Sequence, residues 1–174
     1  MGLPDLNILD LSNNRLIGQV HQIPLHKLEM LSLRGNSLTG TIPLLGNVTR
    51  LKTLDLGQNN FRGAVPTELN QLTMLSFLNM EANALITGRI PSEFGRCTHL
   101  YYLSISYTGV RGQIPPEYSA LSDLEELRLA NTFVGLEIPQ EVAKMTRLQH
   151  LDLSNSRFRK SIPTFLGDLS KLSE

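Results

Sequence analysis

Phe77, Tyr102 and Tyr107, with Glu126 and Arg128 further along, are the residues of this chain best equipped to hold another molecule. Aromatic rings supply a large apolar face, and an arginine beside them adds charge and a planar array of donors. These residue types dominate binding hot spots. Asn79 and Glu81 lie in the same stretch and add polar groups. Catalysis has no comparable candidates. The four histidines, His21, His26, His99 and His150, do not stand at metal-ligand spacing from Cys, Asp or Glu. Structural or surface roles are expected for them, with no metal and no cofactor. The sequence has no phosphate-cradling loop, Gly-x-Ser-x-Gly elbow or His-Glu-x-x-His run, and its carboxylates are scattered rather than paired. The chain reads as non-enzymatic.

The elements that position these residues follow from a period of about 24 residues. Leucines recur at Leu6, Leu28, Leu51, Leu75, Leu100, Leu124, Leu148 and Leu172, with spacings of 22, 23, 24, 25, 24, 24 and 24. Each unit repeats one apolar code, as in Leu51-x-x-Leu54-x-Leu56-x-x-Asn59-x-Phe61. Alternation at period two makes Leu-x-x-Leu-x-Leu a short strand with one buried face. A fixed repeat of this length stacks into a solenoid, each unit burying its apolar face against its neighbours. Seven strands then form a parallel sheet about 30 Å long. The rows across that sheet are Ile8, Met30, Thr53, Phe77, Tyr102, Glu126, His150 and then Asp10, Ser32, Asp55, Asn79, Ser104, Arg128, Asp152. Both rows are expected to face solvent on the concave side. Phe77 and Tyr102 thereby become neighbours, either as a ligand platform or as a pair that covers itself.

Asn14, Asn36, Asn59 and Asn83 leave the strands pointing inward, where a buried amide must be hydrogen-bonded. An asparagine ladder is expected. It thins where Thr108, Thr132 and Ser156 replace the amide, so the C-terminal half should be looser at this turn. Cys97 takes a place held elsewhere by Val48, Leu72, Leu121, Met145 and Leu169, so it reads as a small buried hydrophobe. Being the only cysteine, it cannot form an intrachain disulfide.

After the ladder comes Leu38-Thr39-Gly40-Thr41-Ile42-Pro43, repeated as Val110-Arg111-Gly112-Gln113-Ile114-Pro115 and Phe61-Arg62-Gly63-Ala64-Val65-Pro66. An extended segment and then a short helical turn fit these residues. The string Leu-x-Gly-x-Ile-Pro-x-x-Leu-Gly-x-Leu resembles the plant-specific class of leucine-rich repeats. Receptor-like kinases, receptor-like proteins and polygalacturonase inhibitors carry that class in their extracellular parts. The resemblance runs over essentially all of residues 1–174 and implies one array of about seven repeats, an α/β solenoid wound as a right-handed superhelix with a concave parallel sheet. Unit one has Val20-His21 in place of Ile-Pro, unit four carries an extra residue at Leu85-Ile86-Thr87-Gly88, unit six moves its glycine to Gly135, and unit seven replaces it with Lys160. Leu3 and Leu6 at one end and Leu169 and Leu172 at the other are in register with the repeat, without the paired-cysteine caps of the family. The chain is therefore expected to be a piece of a longer repeat protein.

Sixteen basic residues balance 16 acidic ones, so no global field favours nucleic acid, and no apolar run is long enough to span a bilayer. The expected function is to hold a protein or peptide ligand on the concave sheet, without nucleic acid and without direct membrane contact. A sheet about 30 Å by 13 Å offers about 400 Å², half of what one partner buries in a standard interface. That suits a peptide, a small glycan, or part of a larger contact. An inhibitor of a cell-wall hydrolase and an intracellular scaffold are the alternatives. An extracellular or cell-surface setting is implied by the resemblance, with a cytoplasmic one as the alternative. Asn47-Val48-Thr49 is a glycosylation sequon placed away from the concave sheet, compatible with secretion. Arg157-Phe158-Arg159-Lys160 is expected to be a solvated rim.

Overall fold

The leucine at the centre of each Leu-x-x-Leu-x-Leu segment is buried from Leu31 to Leu127, which ties each short strand to one apolar column. The computed structural model describes residues 5–21 and 25–173; Leu3 lies outside them. Seven three-residue strands run parallel in sequence order: Ile8–Asp10, Met30–Ser32, Thr53–Asp55, Phe77–Asn79, Tyr102–Ser104, Glu126–Arg128 and His150–Asp152. Their register pairs Ile8 with Met30, Met30 with Thr53, Thr53 with Phe77, Phe77 with Tyr102, Tyr102 with Glu126 and Glu126 with His150. This is the first row read from the sequence.

The chain then turns through a row of residues with positive φ, Asn13, Gly35, Gln58, Ala82, Tyr107, Asn131 and Asn155. From Asn13 to Asn131 these turns are closed by a main-chain bond to the next unit, such as Ala82 N to Ser106 O at 2.9 Å and Tyr107 N to Ala130 O at 2.8 Å. A second parallel sheet follows on the flank of the solenoid, built from Arg62–Ala64, Asn83–Arg89, Thr108–Gly112, Phe133–Leu136 and Arg157–Phe158. The extra residue of unit four appears there as a register shift, with Thr108 opposite Asn83 but Gly109 opposite Thr87. On the convex side the helical component of this α/β solenoid is 3-10 helix: Thr67–Gln71, Ser92–Arg96, Pro116–Ala120, Gln140–Lys144 and Thr164–Asp168. Each starts directly after Pro66, Pro91, Pro115, Pro139 or Pro163, whose fixed φ suits the entry.

Between the concave strands and the flank sheet, the asparagine amides bridge successive turns. Asn83 Nδ2 donates to Met80 O at 3.1 Å in its own turn and to Leu56 O at 3.0 Å in the preceding one, while its Oδ1 accepts from Phe61 N at 3.0 Å. Asn59 repeats the arrangement with Leu33 O and Leu38 N, and Asn36 with Leu11 O and Leu16 N. Asn14 donates only within its own turn, to Leu11 O and Ser12 O. The hydroxyl of Thr108 reaches only Ile105 O, at 2.7 Å. The cross-turn link resumes at Ser156, which donates to Leu129 O at 2.8 Å. The interruption thus spans the fifth and sixth turns, where Thr108 and Thr132 each donate to a carbonyl of their own turn, Ile105 O and Leu129 O.

Two strained or unsatisfied positions carry stability predictions. Gly18, Gly40, Gly63, Gly88 and Gly112 hold positive φ at the same place in their units, and in unit six that place is held by Leu136 at φ 79°. Its glycine sits one residue early at Gly135, where a Cβ would run into the backbone carbonyl of Arg157. A γ-branched side chain is penalised in the left-handed region, and Leu136 is half exposed, so it buries little in return. Leu136→Gly is therefore expected to raise stability by about 1 kcal/mol, read as a higher urea midpoint; an unchanged or lower midpoint would contradict the strain. On the convex side, the Tyr118 hydroxyl is fully buried with no hydrogen-bond partner, while the equivalent residue one unit earlier is Phe94, equally buried. Burial also pushes the phenol of Tyr118 well above its ordinary pKa. Tyr118→Phe should stabilise the chain by about 1 kcal/mol, since an orphaned buried hydroxyl carries its whole desolvation cost. A fall in Tm would show that the hydroxyl is satisfied in solution.

Candidate functional site

The stacking of units four and five brings the aromatic residues together. Leu78 and Leu103 are buried beneath the sheet, so the alternate residues Phe77 and Tyr102 stand on its outer face. Their rings stack with centroids 4.4 Å apart and planes 11° from parallel. Tyr101, half exposed, tilts against Phe77 at 6.1 Å and 53° and enlarges the platform. On the other side, the Arg128 guanidinium lies 5.9 Å from the Tyr102 ring centroid and is held by Glu126 at 2.9 Å. Beyond it a depression of about 280 Å³ is lined by Arg128, His150, Leu151 and Asp152.

A charged pair borders the platform on its N-terminal side. Arg34 of unit two meets Glu81 of unit four at 2.9 Å, spanning the unit between them. Gly57 leaves room for this: a Cβ there would sit 2.9 Å from both Arg34 Nη1 and Asn79 Nδ2. The Glu81 carboxylate also accepts from Ser104 Oγ at 3.4 Å. Burial raises the Asp55 carboxyl above its usual range despite a bond from Gly57 N and the nearby Arg34 charge. Burial, reinforced by the negative charge of Glu81, raises the Tyr102 phenol as well. The rim is therefore pre-ordered by ion pairs, and the Tyr102 phenol stays neutral at physiological pH.

Phe77, Tyr102, Glu126, Arg128 and Glu81 come together as one surface, but two other candidates do not join it. Asn79 is 2 % exposed, and Ser32 and Ser104 in its row are also buried. The Arg34–Glu81 pair and the aromatic rings close over that row, and the Asn79 side chain is turned to its own backbone, Oδ1 accepting from Glu81 N at 3.0 Å. The expectation that the whole second row faces solvent fails here. Asp10, Asp55 and Asp152 make the same turn to Ser12, Gly57 and Ser154. Tyr107 is exposed but sits in the left-handed turn beyond its strand, and the ring contacts of the platform do not include it. Tyr101 and Arg34 are the members that sequence reasoning overlooked. Tyr101 stands just before its strand, outside the apolar alternation. Arg34 gains its place only through the gap at Gly57.

Other groups are structural. Cys97 is buried, donates to Leu72 O at 3.5 Å, and has its thiol pushed up to about 11 by burial, which leaves it protonated and inert. Among the described residues no cluster of three or more His, Cys, Asp or Glu is placed to hold a metal. His99 comes within 4.0 Å of Asp123, which is itself paired with Arg147 at 2.7 Å. A larger depression of about 410 Å³ lies away from the platform, lined by residues including Val20, Ile42, Asn47 and Gln71, and no Phe or Tyr lines it. No helix among the described residues is long and apolar enough to cross a membrane.

Comparison with known proteins agrees with this architecture. Family models for leucine-rich repeats match residues 26–79, as a two-copy repeat, and residues 5–25 and 147–169 as single repeats. Receptor-like protein 41 of Arabidopsis thaliana is 34 % identical over 109 residues, covering 60 % of this chain and 12 % of that protein. The solved complex of the Arabidopsis receptor kinase HAESA with the peptide hormone IDA and the co-receptor SERK1 superposes with a TM-score of 0.86 at 36 % identity, covering 94 % of this chain and 28 % of that one. The ectodomain of the receptor kinase SOBIR1 from Arabidopsis thaliana aligns with a TM-score of 0.68 at 31 % identity, covering 74 % of this chain and 70 % of that one. The chain spans about an eighth of the curated receptor-like protein it matches.

Proposed function

Because the chain belongs to the leucine-rich repeat family, with the repeat of plant receptor ectodomains, we propose that it is a non-catalytic recognition module that holds a peptide or protein segment on its concave sheet. The observation that carries this reading is the Phe77–Tyr102 stack, flanked by Tyr101 and Arg128, on the concave face. Stacked rings held between two ion pairs are already in place before a ligand arrives, so little side-chain entropy is lost on binding. Four residues of extended peptide laid along the rows would cover the platform, and the Arg128–His150 depression would take one side chain. The complex of HAESA with a peptide hormone supports peptide as the ligand class.

An extracellular or cell-surface setting belongs to the same proposal. Asn47 is exposed in a turn off the concave face, where a glycan would leave the platform clear. The reading treats residues 1–174 as one repeat array within a longer receptor-like protein.

The test is selection from a displayed random peptide library on the immobilised chain, with counter-selection on the Phe77→Ala/Tyr102→Ala variant. Peptides that bind the parent and not the variant are expected. Peptides recovered equally by both would contradict the concave platform.

A further inference from the structure

The flank sheet carries a second surface that the concave reading does not use. Its outward residues include Arg62, Arg89, Arg111, Arg157 and Arg159, all exposed. Among the described residues none of the five has an ion-pair partner, and the one carboxylate on these strands' continuation, Glu137, is taken by Lys160 at 2.8 Å. A chain with no net charge has therefore gathered arginines without ion pairs on this face, Arg89 sharing a depression with Glu93 and Glu117. Arg89 and Arg111 are direct cross-strand partners, an arrangement of like charges that costs stability.

Apolar groups are set among these arginines. Leu85 is 58 % and Phe133 48 % exposed. Across the sheet Leu85 stands opposite Arg62 and Phe133 opposite Arg111, while Gly109 of unit five lies opposite Thr87, where a Cβ would come within 2.9 Å of Ile86 O. The missing side chain leaves a socket of about 570 Å³ walled by Thr87, Arg111, Phe133 and Arg157 and floored by Gly88 and Gly109. Arg157 lies over the Phe133 ring at 4.4 Å, which fixes both side chains. Arg157, the first residue of the basic stretch of unit seven, is thus held on the socket wall, while Arg159 and Lys160 are exposed.

We propose that this socket docks an acidic segment of a partner protein, with an apolar side chain against Phe133 and flanking Asp or Glu carboxylates on Arg111 and Arg157. Charge selects the partner: unpaired guanidiniums favour carboxylates and bind them bidentately. The Phe133 ring selects a polypeptide over an acidic polysaccharide, which carries no apolar side chain to fill the socket beside it. Arginine and aromatic residues side by side are the composition of a protein interface core. The site is separate from the concave platform, so both could be filled at once.

Synthetic Glu-Glu-Phe-Glu-Glu and its Gln-Gln-Phe-Gln-Gln, Glu-Glu-Ser-Glu-Glu and polygalacturonate counterparts are the probes, titrated into the parent chain and into Arg111→Glu/Arg157→Glu by fluorescence anisotropy and calorimetry. The acidic aromatic peptide should bind the parent, with salt-dependent affinity, and lose roughly tenfold or more in the double variant. It should also lose affinity when its Phe becomes Ser or its Glu become Gln. Phe77→Ala/Tyr102→Ala should leave it unchanged, which separates failure here from failure of the concave site. No binding, binding indifferent to Arg111→Glu/Arg157→Glu, or equal binding of polygalacturonate or the Ser peptide would overturn the proposal. Thermal melting of the double variant checks that the fold survives; if it does not, Phe133→Ser, exposed and on the socket wall, replaces it with the same expected loss.

Discussion

Asn83→Ala is expected to lower the stability of the chain by about 3 kcal/mol, the largest single-residue loss on the asparagine ladder. Asn83 is fully buried, and its amide holds three carbonyls, Leu56, Met80 and Glu81, together with the main-chain N–H of Phe61. Alanine removes the partner and leaves these groups buried, each with a desolvation cost of about 1 kcal/mol or more. Asn83 also sits where the ladder ends on its C-terminal side, since Thr108 contributes no cross-turn bond. Nearest-neighbour coupling is what holds a solenoid together, so the loss should loosen units three and four together. Amide exchange should rise at Phe61 and along Asn83–Arg89. Asn83→Thr restores one bond of the Thr108 kind and should cost less. A loss under about 1 kcal/mol for Asn83→Ala would show that the ladder is not the cross-turn link.

Loss of binding on truncating the aromatic platform is the second large effect. Phe77→Ala and Tyr102→Ala are each expected to weaken a concave-face ligand by roughly thirtyfold, the scale of a hot-spot residue. The double variant should lose less than the product of the two, because each ring is the other's stacking partner at 4.4 Å. Stability should change by no more than about 1 kcal/mol, because a cross-strand aromatic pair on an open sheet face is worth little more than that. A large fall in Tm with unchanged affinity would mean that the rings only cover each other. That alternative is the one left open by the sequence, and this pair of readouts separates it from a ligand platform.

The leucine column made the seven-strand register legible residue by residue, from Ile8 to His150, because alternation and a fixed period leave no second way to bury the leucines. Row membership did not reveal exposure. Asn79 shares its row with Arg128, yet it is buried, because exposure there depends on whether a side chain from two units away can fold over it. Arg34 does so only where Gly57 opens a gap, a three-unit relation that a period of one unit does not encode. Tyr107 lies beyond the end of its strand, where the backbone turns left-handed as it does after every strand, and nothing in the type of residue 107 announces that turn. Leu136 shows the same blindness, since moving a glycine by one position looks harmless in sequence and puts a leucine at φ 79°. The flank socket depends on Gly109 beside Thr87 and on Phe133 beside Arg111, residues of different repeats that meet only once the unit-four bulge is placed.

The most direct test of the concave platform is a ring-proton NMR titration of the chain with a library-selected peptide. The sequence contains 6 Phe, 4 Tyr and no Trp, so the aromatic region is sparse enough to follow each ring. The account predicts that Phe77, Tyr101 and Tyr102 shift together at one saturating stoichiometry, while Phe133 on the flank and Phe94 in the core stay fixed. Shifts confined to Phe133 or to the convex side, with the Phe77–Tyr102 rings unmoved at saturation, would contradict it.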